Sequence, residues 1–294
     1  MDLLSLPVLT VLSDNVTIVE KDNVKIVRII HEKATAGIAL HGGHVVSFAP
    51  KGQDDLIWMS DQAIFDGKAA LRGGIPVCWP WFGRIATPAH GFARNSEWHI
   101  AELTQDAQNI MLVLELKSSE DTLEIWPYQF SARLLIEVGS ELKVTLDVTN
   151  TDSQEWTFSG ALHTYLNVGN VQDVTTTGMG LDYIDQLKQG QQCQGSDVLQ
   201  LNHAIDRVYT QPDNVIAVID PRIDRTLRVE NQGHNAAVLW NPWASGAQLI
   251  NDMADNGYQT MLCVESTLHA SRLEKGKTLR PGESYPLSTR ISVQ

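Results

Sequence analysis

Alternation with a period of two is the strongest pattern in this chain. Glu141-Leu142-Lys143-Val144-Thr145-Leu146-Asp147-Val148 places an apolar side chain at every second position, and on a pleated strand those side chains share one face. Val24 to Ile30 alternates less cleanly, and further strand-like runs recur at 109–116, 130–138, 156–166, 215–219, 226–229, 236–240 and 261–265. Turn-forming clusters at 138–141 and 231–234 separate neighbouring runs, which predicts hairpins. No amphipathic pattern of three helical turns is present, and 60–65 and 251–255 are the best candidates for short helical turns. A parallel α/β sheet requires helical patterns of about 10–15 residues between strands. The expected fold is therefore all-β, a large antiparallel sandwich or barrel. All-β domains reach about 250 residues, and no linker or composition break interrupts the 294 residues, so one domain over 1–294 is expected.

Charge narrows the partners. With 22 basic and 35 acidic residues the net charge is −13, which argues against a binder of nucleic-acid backbones. A small anion remains open to a local arginine cluster. No apolar run approaches the ~18 residues of a membrane helix. Leu3 to Leu12 is apolar, yet Asp2 stands where a secretory signal has a basic flank and Pro7 interrupts the run. Cys78, Cys193 and Cys263 are odd in number and widely spaced, which fits neither a disulfide framework nor a CxxC site. A soluble protein of a reducing compartment, the cytoplasm, is expected.

The most unusual segment is Arg72-Gly73-Gly74-Ile75-Pro76-Val77-Cys78-Trp79-Pro80-Trp81-Phe82-Gly83, with three Gly, two Pro and three large aromatics. Such a stretch predicts a rigid, contorted loop. Its rings suit either the C–H face of a sugar or a plug at the end of a sandwich. Arg72, Arg84 and Arg94 fall within 23 residues, and guanidinium takes phosphate oxygens in pairs; Gly73 and Gly74 offer amides to an anion. The ordinary alternative pairs each arginine with a surface carboxylate. His90 belongs to a loop and His163 to a strand-like run, where a structural hydrogen bonder is the commoner role. Glu265 ends an apolar run, where desolvation raises a carboxyl pKa. His41 and His44 lack the further ligands of a zinc site, and no phosphate-loop, dinucleotide or nucleophile-elbow motif is present.

Taken together, the 72–83 segment, His90-Gly91-Phe92-Ala93-Arg94, Leu162-His163-Thr164-Tyr165, Asp206-Arg207-Val208-Tyr209, Trp240-Asn241-Pro242 and Val264-Glu265 resemble the aldose 1-epimerase family. Within it, the glucose-6-phosphate 1-epimerase (hexose-6-phosphate mutarotase) branch is the nearest match. The resemblance implies an all-β supersandwich of the galactose-mutarotase type and cofactor-independent interconversion of hexose 6-phosphate anomers, with no metal. It implies His163 as general acid, starting protonated, and Glu265 as general base, starting ionised. His90 and Asp206 would hold sugar hydroxyls, and Arg72 and Arg94 the 6-phosphate, with Lys68 and Arg84 left open. The expected partner is a small sugar phosphate, without nucleic acid or membrane, and the expected state is a monomer. Ala89 stands where some relatives carry Gln, which leaves the exact sugar open. The alternatives are a mutarotase of unphosphorylated aldoses, a carbohydrate-binding sandwich without catalysis, and a glycosidase, which needs two flanking carboxylates.

Overall fold

A computed structural model describes residues 2–294 as antiparallel sheets with short helices between them. A nine-stranded sheet runs in the order Leu199–Gln200, Thr175–Thr177, Val215–Asp220, Arg225–Gln232, Ser284–Val293, Leu142–Asn150, Phe130–Val138, Ile110–Lys117, His99–Gln105. An eight-stranded sheet contains Asp182–Asp185, Ile205–Tyr209, Ala236–Asn241, Met261–Leu268 and Gly160–Leu162 as successive neighbours. The Met261–Leu268 strand touches the Ser284–Val293 strand of the nine-stranded sheet, where Ser266 Oγ donates to the Ser288 carbonyl. Five strands between Val8 and Pro50 form a third sheet, and one core cluster extends from Val16 to Ile291.

The alternation seen in the sequence is realised directly. Phe130–Val138 and Leu142–Asn150 each bury every second residue, and the 138–141 turn joins them with Leu142 opposite Val138. The 231–234 cluster turns differently. It carries the chain from Arg225–Gln232 in the nine-stranded sheet to Ala236–Asn241 in the eight-stranded one. Gly233 makes this crossing at φ +75°, where a Cβ would lie 2.1 Å from the Pro286 carbonyl oxygen.

Neither expected helical turn is present. Segments 60–65 and 251–255 are loops fastened to each other by the Ser60 hydroxyl, which donates to the Asp252 carbonyl at 2.7 Å. Helices form instead at Glu120–Ile125 and Trp243–Ala247. The first has a capping box between Ser119 and Thr122, a device that satisfies free amides of a short helix. Segment 156–166 also divides, into Trp156–Phe158, Gly160–Leu162 and Tyr165–Asn167.

The loop 72–83 contains only a two-residue strand, Val77–Cys78. Trp79 is fully buried, with its ring 4.5 Å from Phe130, 5.3 Å from Trp126 and 5.8 Å from Phe92, all edge-on. Trp81 is buried too. The two tryptophans therefore act as a plug and offer no face to a ligand. His44 and His41 tie down the approach to this loop: their Nε2 atoms lie 2.7 Å and 2.8 Å from the carbonyls of Gly73 and Ala69. These are backbone clamps rather than metal ligands. Gly74 sits at φ +70°, where a Cβ would come 2.2 Å from His44 Nε2, and its amide already donates to the Trp58 carbonyl. That amide is therefore not free for an anion. Among the described residues all three cysteines are free, and no helix is long and apolar enough to cross a membrane.

Trp79→Ala should lower unfolding stability by about 3–5 kcal/mol, as expected for a large core truncation, measurable as a reduced urea midpoint with unchanged slope. His44 tests the clamp. Burial lowers its pKa from 6.5 to about 3, so the unfolded chain binds a proton there that the folded chain refuses, and this loss of stability grows as pH falls from 6.5 toward 3. Replacing His44 by Gln should flatten the stability-versus-pH curve in that window by one proton; an unchanged slope would remove His44 as the cause.

Candidate active site

Strand register builds the floor of the site. Leu162 pairs with Ser266 and Tyr165 with Cys263 along the Met261–Leu268 strand, which leaves His163 opposite Glu265. On the other side of that strand Glu265 pairs with Val238 and Cys263 with Trp240, and beyond them Val208 and Asp206 follow. Two cross-strand rows result: His163, Glu265, Val238, Val208, and beside it Tyr165, Cys263, Trp240, Asp206. Residues two apart on a strand point the same way, so both rows share one face. Directly opposed side chains sit close enough to interact, and His163 Nε2 lies 3.3 Å from Glu265 Oε1.

The two loops that the prolines and glycines shape form the wall. His163, Tyr165, Asp206, Val238, Trp240 and Glu265 line a cavity of about 350 Å³ together with Arg72, Phe82, Arg84, Ala89, His90 and Arg94. Arg72 is held from both sides: Nε donates to Asp252 Oδ1 at 3.0 Å, and Nη1 to the Tyr165 hydroxyl at 3.1 Å. Arg94 Nη2 donates to the Ala89 carbonyl at 3.0 Å, while its buried Nε has no partner. His90 adopts φ 65°, an uncommon value outside glycine, with its amide bonded to the Gly83 carbonyl. Its ring centroid lies 6.0 Å from that of His163. A larger cavity of about 680 Å³ adjoins, sharing Phe82, Arg84, His90, Asp206 and Val238.

Burial and local charge set the protonation states. Glu265 is 1% exposed, and burial, with the nearby Asp206, pushes its carboxyl well above the usual range. Burial also drives His163 well below 6.5, helped by His90, Arg94 and Arg72. Both shifts favour the uncharged form, the carboxylic acid at Glu265 and the neutral imidazole at His163. The resemblance implies the opposite starting states, an imidazolium and a carboxylate, so burial works against both. The main cause is desolvation, which disfavours the charged form of both groups; the arginines and His90 add to it at the histidine, and Asp206 adds to it at the carboxyl. His90 is lowered to about 3 by burial and by Arg94, Arg84 and Arg72, and Asp206 is raised to about 6 by burial and Asp185. His90 is thus a neutral hydrogen-bonding group at pH 7. Cys263 Sγ lies within 4.8 Å of the His163 and Glu265 ligand atoms, with its thiol pushed well up by burial.

All six residues singled out in the sequence, Arg72, His90, Arg94, His163, Asp206 and Glu265, meet in one cavity. Arg84 joins them at its exposed rim, whereas Lys68 does not line it. Phe82 is the only aromatic of the 72–83 loop to reach the cavity; Tyr165 and Trp240 supply the other rings. Asp252 escaped notice because 180 residues separate it from the arginine it holds, and no local pattern announces such a pair.

Comparison with known proteins gives the chain its family. Residues 25–292 match the family model described as aldose 1-epimerase. A relative from Escherichia coli named "Putative glucose-6-phosphate 1-epimerase" is 34% identical over 281 residues, 94% of each chain. One of the same name from Cenchrus ciliaris is 36% identical over 262 residues, covering 85% of this chain and 78% of that protein. The crystal structure of a "putative mutarotase" from Salmonella typhimurium superposes with a TM-score of 0.92 at 32% identity, covering 99% of this chain and 97% of that one. The chain belongs to the aldose 1-epimerase family.

Proposed function

We propose that this protein interconverts the α and β anomers of a hexose 6-phosphate, with glucose 6-phosphate as the substrate its relatives' names suggest. The observation that carries this reading is the His163–Glu265 pair, 3.3 Å apart on the floor of a cavity that also receives three arginines.

The chemistry asks for little more. Opening the ring moves a proton from the O1 hydroxyl to a base and delivers another to the ring oxygen, breaking the C1–O5 bond and leaving an aldehyde. Both oxygens sit on one carbon, so two groups in hydrogen-bond contact span them. A single proton shared by the pair suffices: one partner gives its proton to O5 while the other takes that of O1. After rotation about C1–C2, closure on the other face runs the transfers backward and restores the pair. Each positioned proton-transfer group is worth typically 10²- to 10⁴-fold.

The phosphate acts at a distance from the bond. Binding energy from a remote group aligns the reacting end without touching it. A dianion against Arg72 and Arg94 also cancels two charges that hold His163 down, which draws the shared proton toward the imidazole. Substrate binding thus prepares the acid role of His163 and the base role of Glu265. Asp206 and the neutral His90 are suited to the sugar hydroxyls, and Phe82 and Trp240 to its apolar faces.

Proton NMR of anomer exchange at low buffer concentration tests the reading. Acceleration should be selective for glucose 6-phosphate over free glucose and galactose; acceleration of the free sugars alone would remove the phosphate from the account. Arg94→Ala should lower kcat/KM for glucose 6-phosphate roughly 10- to 100-fold, the loss of a charge-assisted hydrogen bond, with a much smaller effect on free glucose. Equal losses would make Arg94 structural. The kcat/KM profile should be bell-shaped, with its acid limb set by a second proton entering the His163–Glu265 pair and its alkaline limb by loss of the shared proton. Glu265→Gln should cut the rate roughly 10²- to 10⁴-fold and abolish the alkaline limb. Near-native turnover in that variant would exclude Glu265 from proton transfer.

A further inference from the structure

The ring of His163 is not oriented by the hydrogen bond that usually fixes a working imidazole. Its Nδ1 is buried without a partner among the described residues. Flat rings hold it instead: the Tyr165 ring is stacked on it, 4.9 Å away and inclined by 14°, and Trp58 is stacked with Tyr165 in turn at 5.9 Å and 17°. Trp58 is fixed in turn by its indole N–H, which donates to Thr260 Oγ1 at 3.1 Å. The opposite end of Tyr165 reaches the anion wall, where its hydroxyl accepts from Arg72 Nη1.

We propose that Tyr165 is a positioning residue that sets the plane of His163 and links it to the occupant of Arg72. The proposal rests on the reading of the cavity given above, and it assigns the third group in a chain running Asp252, Arg72, Tyr165, His163. Two near-parallel contacts, with His163 and with Trp58, oppose tilting of the tyrosine ring more than sliding in its own plane. Asp252 and Tyr165 occupy Arg72 Nε and Nη1, and a guanidinium has five N–H donors, so donors remain for a phosphate. Because the guanidinium is rigid, an anion that draws Arg72 also shifts the hydroxyl hydrogen-bonded to it, and with it the surface against which the imidazole lies. Remote binding would thereby be converted into alignment at the reacting end, where a misplacement of about 1 Å is worth about 10²-fold in rate.

Two variants separate the functions of the ring and the hydroxyl. Tyr165→Leu removes both and should lower kcat roughly 100-fold on glucose 6-phosphate and on free glucose, with KM held within about threefold, as for a group acting on the transition state. Tyr165→Phe restores the stack but not the link; free-glucose turnover should recover most of that loss, while kcat on glucose 6-phosphate stays about tenfold low. A second readout does not depend on turnover: inorganic phosphate should shift the His163 imidazole NMR signals in the native protein, and by less than half as much in Tyr165→Phe. Native kcat in a folded Tyr165→Leu protein would overturn the positioning role. Native glucose 6-phosphate kcat in Tyr165→Phe, an equal phosphate response in that variant, or no response in the native protein would overturn the link. If the native protein accelerates neither sugar yet the response is lost in Tyr165→Phe, the proposed reaction fails and the linkage stands.

Discussion

The cross-strand contact between His163 and Glu265 is the constraint on which the site depends. It follows from register: a strand interrupted at residues 163 and 164 keeps the same alignment on both sides of the break, so the histidine meets the carboxyl directly. A shift of one residue between the two strands would turn His163 to the other face, away from Glu265. The register is secured from the far side of the sheet, where Leu162, Leu166, Leu262 and Val264 are all fully buried. Core packing and catalytic geometry are thus opposite faces of one strand pair.

Burial of that pair shapes its chemistry. Two ionised groups on a dry floor would each lose hydration that their mutual attraction repays only in favourable geometry, and the neutral arrangement avoids the loss. The three arginines of the wall add positive field in a chain whose overall charge is −13. The proposed phosphate site relies on this local concentration of cations rather than on net charge. Burial, with that field added to it, favours the neutral forms of His90 and His163.

Much of this was legible in the sequence, for reasons that differ from one element to another. Strands such as Leu142–Asn150 were readable because one face is wet and the other dry, which forces alternation. The six polar residues of the cavity were readable through motifs whose family resemblance carries them as a set, not through any spacing of their own. The 60–65 and 251–255 segments misled because short apolar stretches near turn residues fit a helical turn and a pinned loop equally well; the Ser60 to Asp252 bond that decides between them spans 192 residues. Trp79 and Trp81 were ambiguous for a related reason, since an indole serves a core and a sugar site alike. The upward shift of Glu265 was legible in the apolar run that it ends, whereas the downward shift of His163 was not, because it comes from burial together with His90, Arg94 and Arg72, which only the fold brings to it.

The central claim is that burial favours the uncharged forms of the contacting pair His163 and Glu265. Nitrogen-15 NMR of the His163 imidazole, recorded against pH in the protein without ligand, tests it most directly. The account predicts the chemical shifts of a neutral ring at pH 7, with protonation only well into the acid range. Imidazolium shifts at pH 7 would contradict it and restore an ion pair as the resting state of the site.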